Sequence, residues 1–212
     1  MHIALFGATG GTGQQIAVQA RAAGHSVTAL VRDPSRLEPV ERGAASTGAA
    51  MTIVAGDVLD PGAVAQIVAG VDAVLVALGT TKRNPPDIVS SGTAVIIDAM
   101  KAAGIKRLIV VSSLGVGDSW NEVPWLFKLA RATFLRTVMA DKAIQEQLVR
   151  ESGLEWTILR PGGLTNGPLT DRTDLGTQAP VMAGRISRAD VAAMALRVAG
   201  AQGTVRRVLS VT

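Results

Sequence analysis

The chain has no cysteine, no tyrosine and only two histidines, His2 and His25, among its 212 residues. Without cysteine there can be no disulfide, no thiolate nucleophile and no cysteine-held metal, and the composition suits a reducing cytoplasm. Two histidines argue against a histidine-rich metal site, so no metal is expected. Aromatic residues make up 3% of the chain, and the basic residues are dispersed, so the stripes of a nucleic-acid surface are missing. No apolar run is long enough to span a bilayer. The N-terminal Met1–Phe6 stretch has no basic start and breaks at Gly7, so it reads as a strand and not as a signal peptide. The formal net charge of +4 is read mainly as a solvated surface, with part of it available to an anionic cofactor. What remains is a small-molecule partner, with a monomer or weak dimer as the expected state.

Hydrophobic residues reach 48% and charged residues 18%, enough for one sizeable core and too apolar for disorder. Apolar runs alternate with longer amphipathic segments. The runs His2–Phe6, Ser26–Val31, Thr52–Ala55, Ala73–Ala77, Arg107–Val111, Trp156–Arg160 and Val205–Val211 are short and rich in Val, Ile and Leu, as parallel strands covered on both faces should be. Helices are predicted at Gln14–Ala23, Pro61–Ala69, Asp87–Ala103, about Pro124–Arg150 and Arg188–Ala199, with Gly24, Gly70, Gly104 and Gly153 as stops. Ser187 with Asp190 reads as a capping box for the last helix. Such βαβ alternation predicts a Rossmann-like, doubly wound, mainly parallel sheet of about seven strands, one domain spanning the chain. Two segments interrupt the rhythm, Asp33–Ala50 and Gly162–Arg185. The second is rich in Gly, Thr, Pro and Asp, and it is expected to cover a substrate.

The turn after the first strand carries the most specific signal. Gly7, Gly10 and Gly13 stand in G-A-T-G-G-T-G, between a buried strand and a helix. Glycines let the backbone turn tightly and approach a pyrophosphate, and the helix N-terminus supplies free N–H groups and a positive dipole end. The spacing G-x-x-G-x-x-G, in that strand–turn–helix context, predicts a dinucleotide site.

Other candidates fall at strand ends. Arg32 ends the second strand, where an acidic residue would bind ribose hydroxyls. An arginine instead offers a permanently charged partner for the 2′-phosphate of NADP(H), and Ser35 and Arg36 could complete that clamp. Asp57 in G-D-V reads either as an acceptor for adenine, with the Val58 backbone beside the ring, or as a cap before Pro61. Ala77, Leu78 and Gly79 are small enough to leave room for a cofactor, whereas Lys82 and Arg83 read as phosphate contacts or as loop cations. Ser112 and Ser113 end the fifth strand, at the side of the sheet where ligands bind. They read as hydroxyl donors to a substrate or to the nicotinamide carboxamide, or as turn caps. Trp120 and Trp125 are candidates for stacking on a flat substrate, or for the core.

The runs G-A-T-G-G-T-G, L-V-R-D, G-D-V, V-S-S and S-G-L-E-W-T-I-L-R-P-G-G-L resemble atypical short-chain dehydrogenase/reductases of the NAD(P)H-binding, NmrA-like type. Within that group the chain is most similar to the biliverdin-IXβ reductase, or flavin reductase, branch, from Met1 to about Leu196. The resemblance implies that Gly7, Thr9, Gly10, Gly11, Thr12 and Gly13 hold the pyrophosphate, and that Arg32 holds the 2′-phosphate. Asp57 and Val58 would then bind adenine, Leu78 and Gly79 line the ribose, Ser112 and Ser113 lie near the nicotinamide, and Pro161, Gly162, Gly163 and Leu164 meet the carboxamide edge. It implies NADPH-dependent reduction of a conjugated acceptor such as a flavin, quinone or biliverdin. A second implication is a non-catalytic NADP(H) sensor, as some NmrA-like proteins are. The chain departs from the superfamily's Y-x-x-x-K pair: Lys142 is present, but Val138 stands four residues before it. It also carries Gly163 where the biliverdin reductase pattern has a histidine. Chemistry that needs a phenolic acid is therefore not expected, and catalysis is assigned to Ser113, with Ser112 as its alternate.

Overall fold

Seven parallel strands run in the order β3–β2–β1–β4–β5–β6–β9 in the computed structural model, which describes residues 1–37, 49–81, 84–117, 134–170 and 184–212. They are β1 (His2–Phe6), β2 (Ser26–Val31), β3 (Met51–Ala55), β4 (Ala73–Val76), β5 (Arg107–Val111), β6 (Glu155–Pro161) and β9 (Arg207–Val211). Between them lie helices α1 (Gly11–Ala22), α2 (Pro61–Val68), α3 (Ile88–Ala103), α4 (Phe134–Glu151) and α5 (Arg188–Ala199). This is the Rossmann-like single-domain architecture that the alternation predicts. The order reverses beside β1: β2 lies on one side, with Ile3 opposite Val27, and β4 on the other, with Ile3 opposite Ala73. A crevice opens beyond the carboxyl ends of β1 and β4, where an open α/β sheet takes its ligand.

The strands are apolar throughout because both faces are covered. On β1, Ile3 and Leu5 join the cluster with Ile16, Ala17, Val191, Met194 and Val198 of α1 and α5. Ala4 and Phe6 point the other way, toward Val64, Ile67, Ile96 and Met100 of α2 and α3. Helix starts follow their local chemistry. Asp60 accepts from the Gly62 amide at 2.9 Å with Pro61 in the first turn of α2, and Ser187 accepts from the Asp190 amide at 2.9 Å to open α5. Helix α3 is opened from outside itself. The buried Asp141 of α4 accepts from the amides of Val89 and Ser90, both at 3.0 Å, which ties α4 to the first turn of α3.

Several boundaries differ from the sequence expectation. Helix α1 begins at Gly11 and not at Gln14, because the second half of the glycine turn already adopts helical backbone. The last strand begins at Arg207 and not at Val205. A short 3₁₀ turn over Gln202–Thr204 and a left-handed Arg206, φ 56°, occupy the approach. The cap before Pro61 is Asp60, not Asp57. The expected start of the fourth helix near Pro124 lies outside the described residues, as do Trp120, Trp125, Lys82 and Arg83. Two short strands were not anticipated: β7 (Gly163–Thr165) and β8 (Arg185–Ser187) pair in parallel, with Leu164 opposite Ile186. They join the two ends of the Gly162–Arg185 segment. Among the described residues, no helix is long and apolar enough to cross a membrane.

At the far end of the sheet from the crevice, one buried cation binds four elements together. The Arg107 guanidinium donates to the Ala199 carbonyl at 3.2 Å, the Glu155 carbonyl at 2.7 Å, and the hydroxyls of Thr157 and Thr204 at 2.8 and 3.1 Å, as well as to the Val198 carbonyl. It thereby satisfies the last carbonyls of α5, where a cation is also favoured by the helix dipole. Burial lowers the Arg107 pKa, an effect Glu155 opposes, but a guanidinium stays charged at any ordinary pH. Replacing Arg107 with Ala leaves these buried acceptors without a donor. The substitution should lower the free energy of unfolding by about 3 kcal/mol or more, and a urea titration of the two proteins reads that difference directly.

Candidate functional site

The crevice is a cavity of about 380 Å³. Its floor is the glycine turn. Gly7 sits at φ +86°, and a Cβ there would lie 2.4 Å from the Ala77 carbonyl oxygen at the end of β4. At Gly13 a Cβ would lie 2.1 Å from the Gly7 carbonyl oxygen. The turn therefore packs backbone against backbone on both sides, and no other residue fits at either place. Gly10 occupies the N-cap of α1 and has no side chain to cap it. The first-turn amides point toward the cavity with the positive end of the helix behind them.

Of the sequence-predicted residues, Gly7, Thr9, Gly10, Gly11, Thr12, Arg32, Arg36, Asp57, Val58, Leu78, Gly79, Ser112, Ser113, Pro161, Gly162 and Leu164 line this one cavity. Gly13 is beneath the turn and Gly163 pairs away from the cavity in β7, its amide donating to the Gly184 carbonyl at 3.0 Å. Ser35 is not part of the lining: its amide and hydroxyl both donate to Asp33 Oδ1, at 3.2 and 2.7 Å. Asp57 accepts from the Leu59 amide at 2.9 Å in a turn of its own. Arg32 reaches across from β2 to Asn84 Oδ1 at 2.6 Å, spanning the rim between β2 and the loop after β4.

The serines behave differently from each other. Of the two readings of Ser112, ligand donor or turn cap, the structure bears out neither: its hydroxyl donates to Glu146 Oε1 at 2.6 Å in a buried setting, so toward the cavity it can only accept. Glu146 is held in turn by Arg160, which donates Nε to Oε1 at 3.0 Å and Nη2 to Oε2 at 2.6 Å. Arg150 adds a second cation at 3.4 Å. Among the described residues the half-buried Ser113 hydroxyl donates to the Leu114 carbonyl at 3.2 Å, a contact to its own neighbour that leaves it able to turn and donate toward the cavity.

Sequence reasoning did not anticipate three contributors. Glu146 and Arg160 form a buried pair from different elements, and the visible signal was a charge inside an apolar run in T-I-L-R-P. Arg188, at the start of α5, lines the cavity. Lys142 also lines it, with Nζ donating to the Val111 carbonyl at 3.3 Å. In sequence it stood only as the remnant of a missing pair. Arg32, Arg36, Lys142 and Arg188 face one carboxylate, Asp57, among the charged lining residues. That balance suits a polyanionic ligand.

Lys142 is the one strongly perturbed group here. Burial pulls its pKa from 10.5 to about 8, the largest effect on it, while the charges of Glu146 and Asp141 pull the other way.

The chain belongs to the NAD(P)H-binding family, whose model matches residues 7–202, and binds a nicotinamide dinucleotide. An uncharacterized sugar epimerase of Bacillus subtilis, YhfK, is 30% identical over 100% of this chain and 94% of its own. A 3-diazoavenalumate denitrifying reductase of Streptomyces is 30% identical over 88% of this chain and 64% of its own. Among solved structures, ChuY of Escherichia coli O157:H7, an anaerobillin reductase, superposes with a TM-score of 0.81 at 31% identity, covering 100% of this chain and 96% of that one.

A lysine whose folded pKa lies below its unfolded value destabilises the fold while it is charged. The penalty is full below pH 8 and is relieved as pH rises from about 8 toward 10.5. Lys142→Met should therefore stabilise the protein more at pH 7 than at pH 10, by a difference of up to about 3 kcal/mol. Urea unfolding of both proteins at the two pH values measures it, and a constant difference would count against a depressed Lys142.

Proposed function

We propose that the protein is an NADPH-dependent reductase that passes hydride to a flat conjugated acceptor of the flavin, quinone or linear-tetrapyrrole kind. The observation that carries this reading is the carboxyl end of β5. There Ser113 and Lys142 share a cavity with the glycine turn, in a chain that has no tyrosine to act as acid. The similarity to an anaerobillin reductase and to a denitrifying reductase supports it.

In this reading Gly7, Thr9, Gly10, Gly11, Thr12 and Gly13 hold the pyrophosphate, and Arg32 with Arg36 the 2′-phosphate. Asp57 and Val58 bind adenine, and Leu78 and Gly79 line the ribose. Ser112 accepts from the carboxamide, and the backbone of Pro161–Leu164 borders it. The bound cofactor supplies the hydride. Ser113 orients the acceptor, and Lys142 adds positive charge near the carboxyl end of β5; most of the segment expected to cover a substrate, residues 171–183, lies outside the described residues. Hydride addition to a simple ketone builds a localised alkoxide that needs a proton donor in place. A conjugated ring system spreads that charge, so holding the acceptor in position becomes the main contribution, and orientation can lower a barrier by several kcal/mol.

Arg32→Ala should weaken NADPH about ten- to a hundredfold, the loss of a charge-assisted contact worth about 1.5–3 kcal/mol, and change NADH little. Calorimetric titration of both cofactors checks this; equal losses would refute the 2′-phosphate assignment.

Wild-type protein should oxidise NADPH with FMN or a quinone and leave simple ketones untouched, with Ser113→Ala slowing turnover but still binding NADPH. An acceptor screen followed at 340 nm is the test. Turnover of ordinary ketones would overturn the mechanism. Tight NADPH binding with no acceptor reduced would favour a redox sensor in its place.

A further inference from the structure

Arg188 stands where local preference would not put it. It is the first residue of α5, and a cation there opposes the helix dipole that Asp190, in the same turn, favours. Its side chain leaves its own helix and crosses the first turn of α1. A Cβ on Gly11 would come within 2.7 Å of Arg188 Cδ and 3.0 Å of its Nε. The arginine thus packs directly over the backbone of Gly11, where a side chain would have to displace it.

Arg188 lines the same cavity as Gly10 and Gly11, and its Cζ would lie 3.8 Å from a Cβ on Gly11. Among the described residues its polar partner is a neutral one: Nη1 donates to Asn166 Oδ1 at 2.6 Å. A permanent cation and the uncapped positive end of α1 thus face the same space, and an anion between them relieves both. Asn166 follows β7 directly. Four residues on, the Thr170 amide and hydroxyl donate to Asp190 Oδ1 and Oδ2 at 2.8 and 3.0 Å. The first turn of α5 therefore grips residues 166–170 at two points, through Arg188 and Asp190.

We propose that Arg188 binds the pyrophosphate of the dinucleotide together with the first turn of α1 and, through Asn166, couples occupancy of that site to the order of residues 163–170. The inference rests on the cofactor placement proposed above. It makes the cofactor a requirement for a well-formed acceptor side. When Arg188 turns toward phosphate with some of its five donors, the others keep Asn166, so the residues after β7 are held more tightly in the loaded protein.

The test compares two ligands by calorimetry: NADP⁺, which has the pyrophosphate, and adenosine 2′-monophosphate, which lacks it. Arg188→Ala should weaken NADP⁺ about ten- to a hundredfold and the monophosphate less than about twofold, with Arg188→Lys recovering part of the loss. Hydrogen exchange supplies a readout that does not depend on affinity. NADP⁺ should protect the amides of residues 163–170 in the wild type, and Asn166→Ala should remove that protection while binding NADP⁺ nearly as tightly. Thermal unfolding confirms that each variant is folded, and Arg188→Lys serves if the alanine variant is not. Unchanged NADP⁺ affinity in Arg188→Ala, or equal losses of both ligands, overturns the pyrophosphate role; unchanged protection in Asn166→Ala overturns the coupling. Arg32→Ala reports separately on the placement. It should weaken both ligands, and failure there with Arg188 behaving as stated would displace the 2′-phosphate end alone.

Discussion

The approach of one backbone turn to another is the constraint on which the site depends. The turn after β1 must pass so close to the end of β4 that the Ala77 carbonyl occupies the place of a side chain at Gly7. One residue class satisfies that contact, and the same class is needed again at Gly13, where α1 settles on the Gly7 carbonyl. A side chain at either position would lift α1 away from the strand. The crevice would then lose the alignment between the α1 amides and the ends of β1, β4 and β5. Any L-residue with a Cβ at Gly7 would also meet a left-handed backbone that costs about 1–2 kcal/mol, but the steric overlap is the larger obstacle.

Around that turn the protein arranges charge by burial. Helix α4 delivers Asp141, Lys142 and Glu146 on neighbouring turns, and each has a different fate. Asp141 is used as a cap for α3 and is neutralised by amides. Glu146 is used by Arg160 and Ser112. Lys142 is left with a carbonyl and the cavity. An ion pair as buried as Glu146–Arg160 is a poor device for stability alone, because desolvation offsets much of the attraction. Its consequence here is local. It fixes the direction of the Ser112 hydroxyl, which donates to the carboxylate that Arg160 holds. The distant Arg107 cluster is the opposite case, a cation whose three guanidinium nitrogens all donate to α5, β6 and the 3₁₀ turn, away from the crevice.

Much of the fold was legible because its signals are local. A continuous Val-Ile-Leu run such as Arg107–Val111 reads as a doubly covered strand wherever it occurs, and Gly104 at φ 72° ends its helix by backbone geometry alone. Most of the cavity lining was legible for a related reason. In an open parallel sheet the residues that follow the strands collect at one end, so Arg32, Asp57, Leu78, Ser112 and Pro161 can be found by counting from strand ends. Boundaries slipped where a turn changed hand, as at Arg206. The β7–β8 pair was missed because three residues such as Gly163–Thr165 carry no periodicity to read.

The sequence by itself determined the strand–turn–helix that binds a dinucleotide, the absence of a phenolic acid, and the βαβ alternation of a doubly wound parallel sheet. Each follows from residue type and spacing, which act over one or two turns of chain. Only the tertiary structure decided which charges meet. Whether Ser112 donates to a ligand or to Glu146, how far burial lowers the Lys142 pKa, and what packs over Gly11 depend on Glu146, Arg160 and Arg188. These arrive from positions far along the chain, and the free energy of a buried charge is set by the neighbours that packing brings to it.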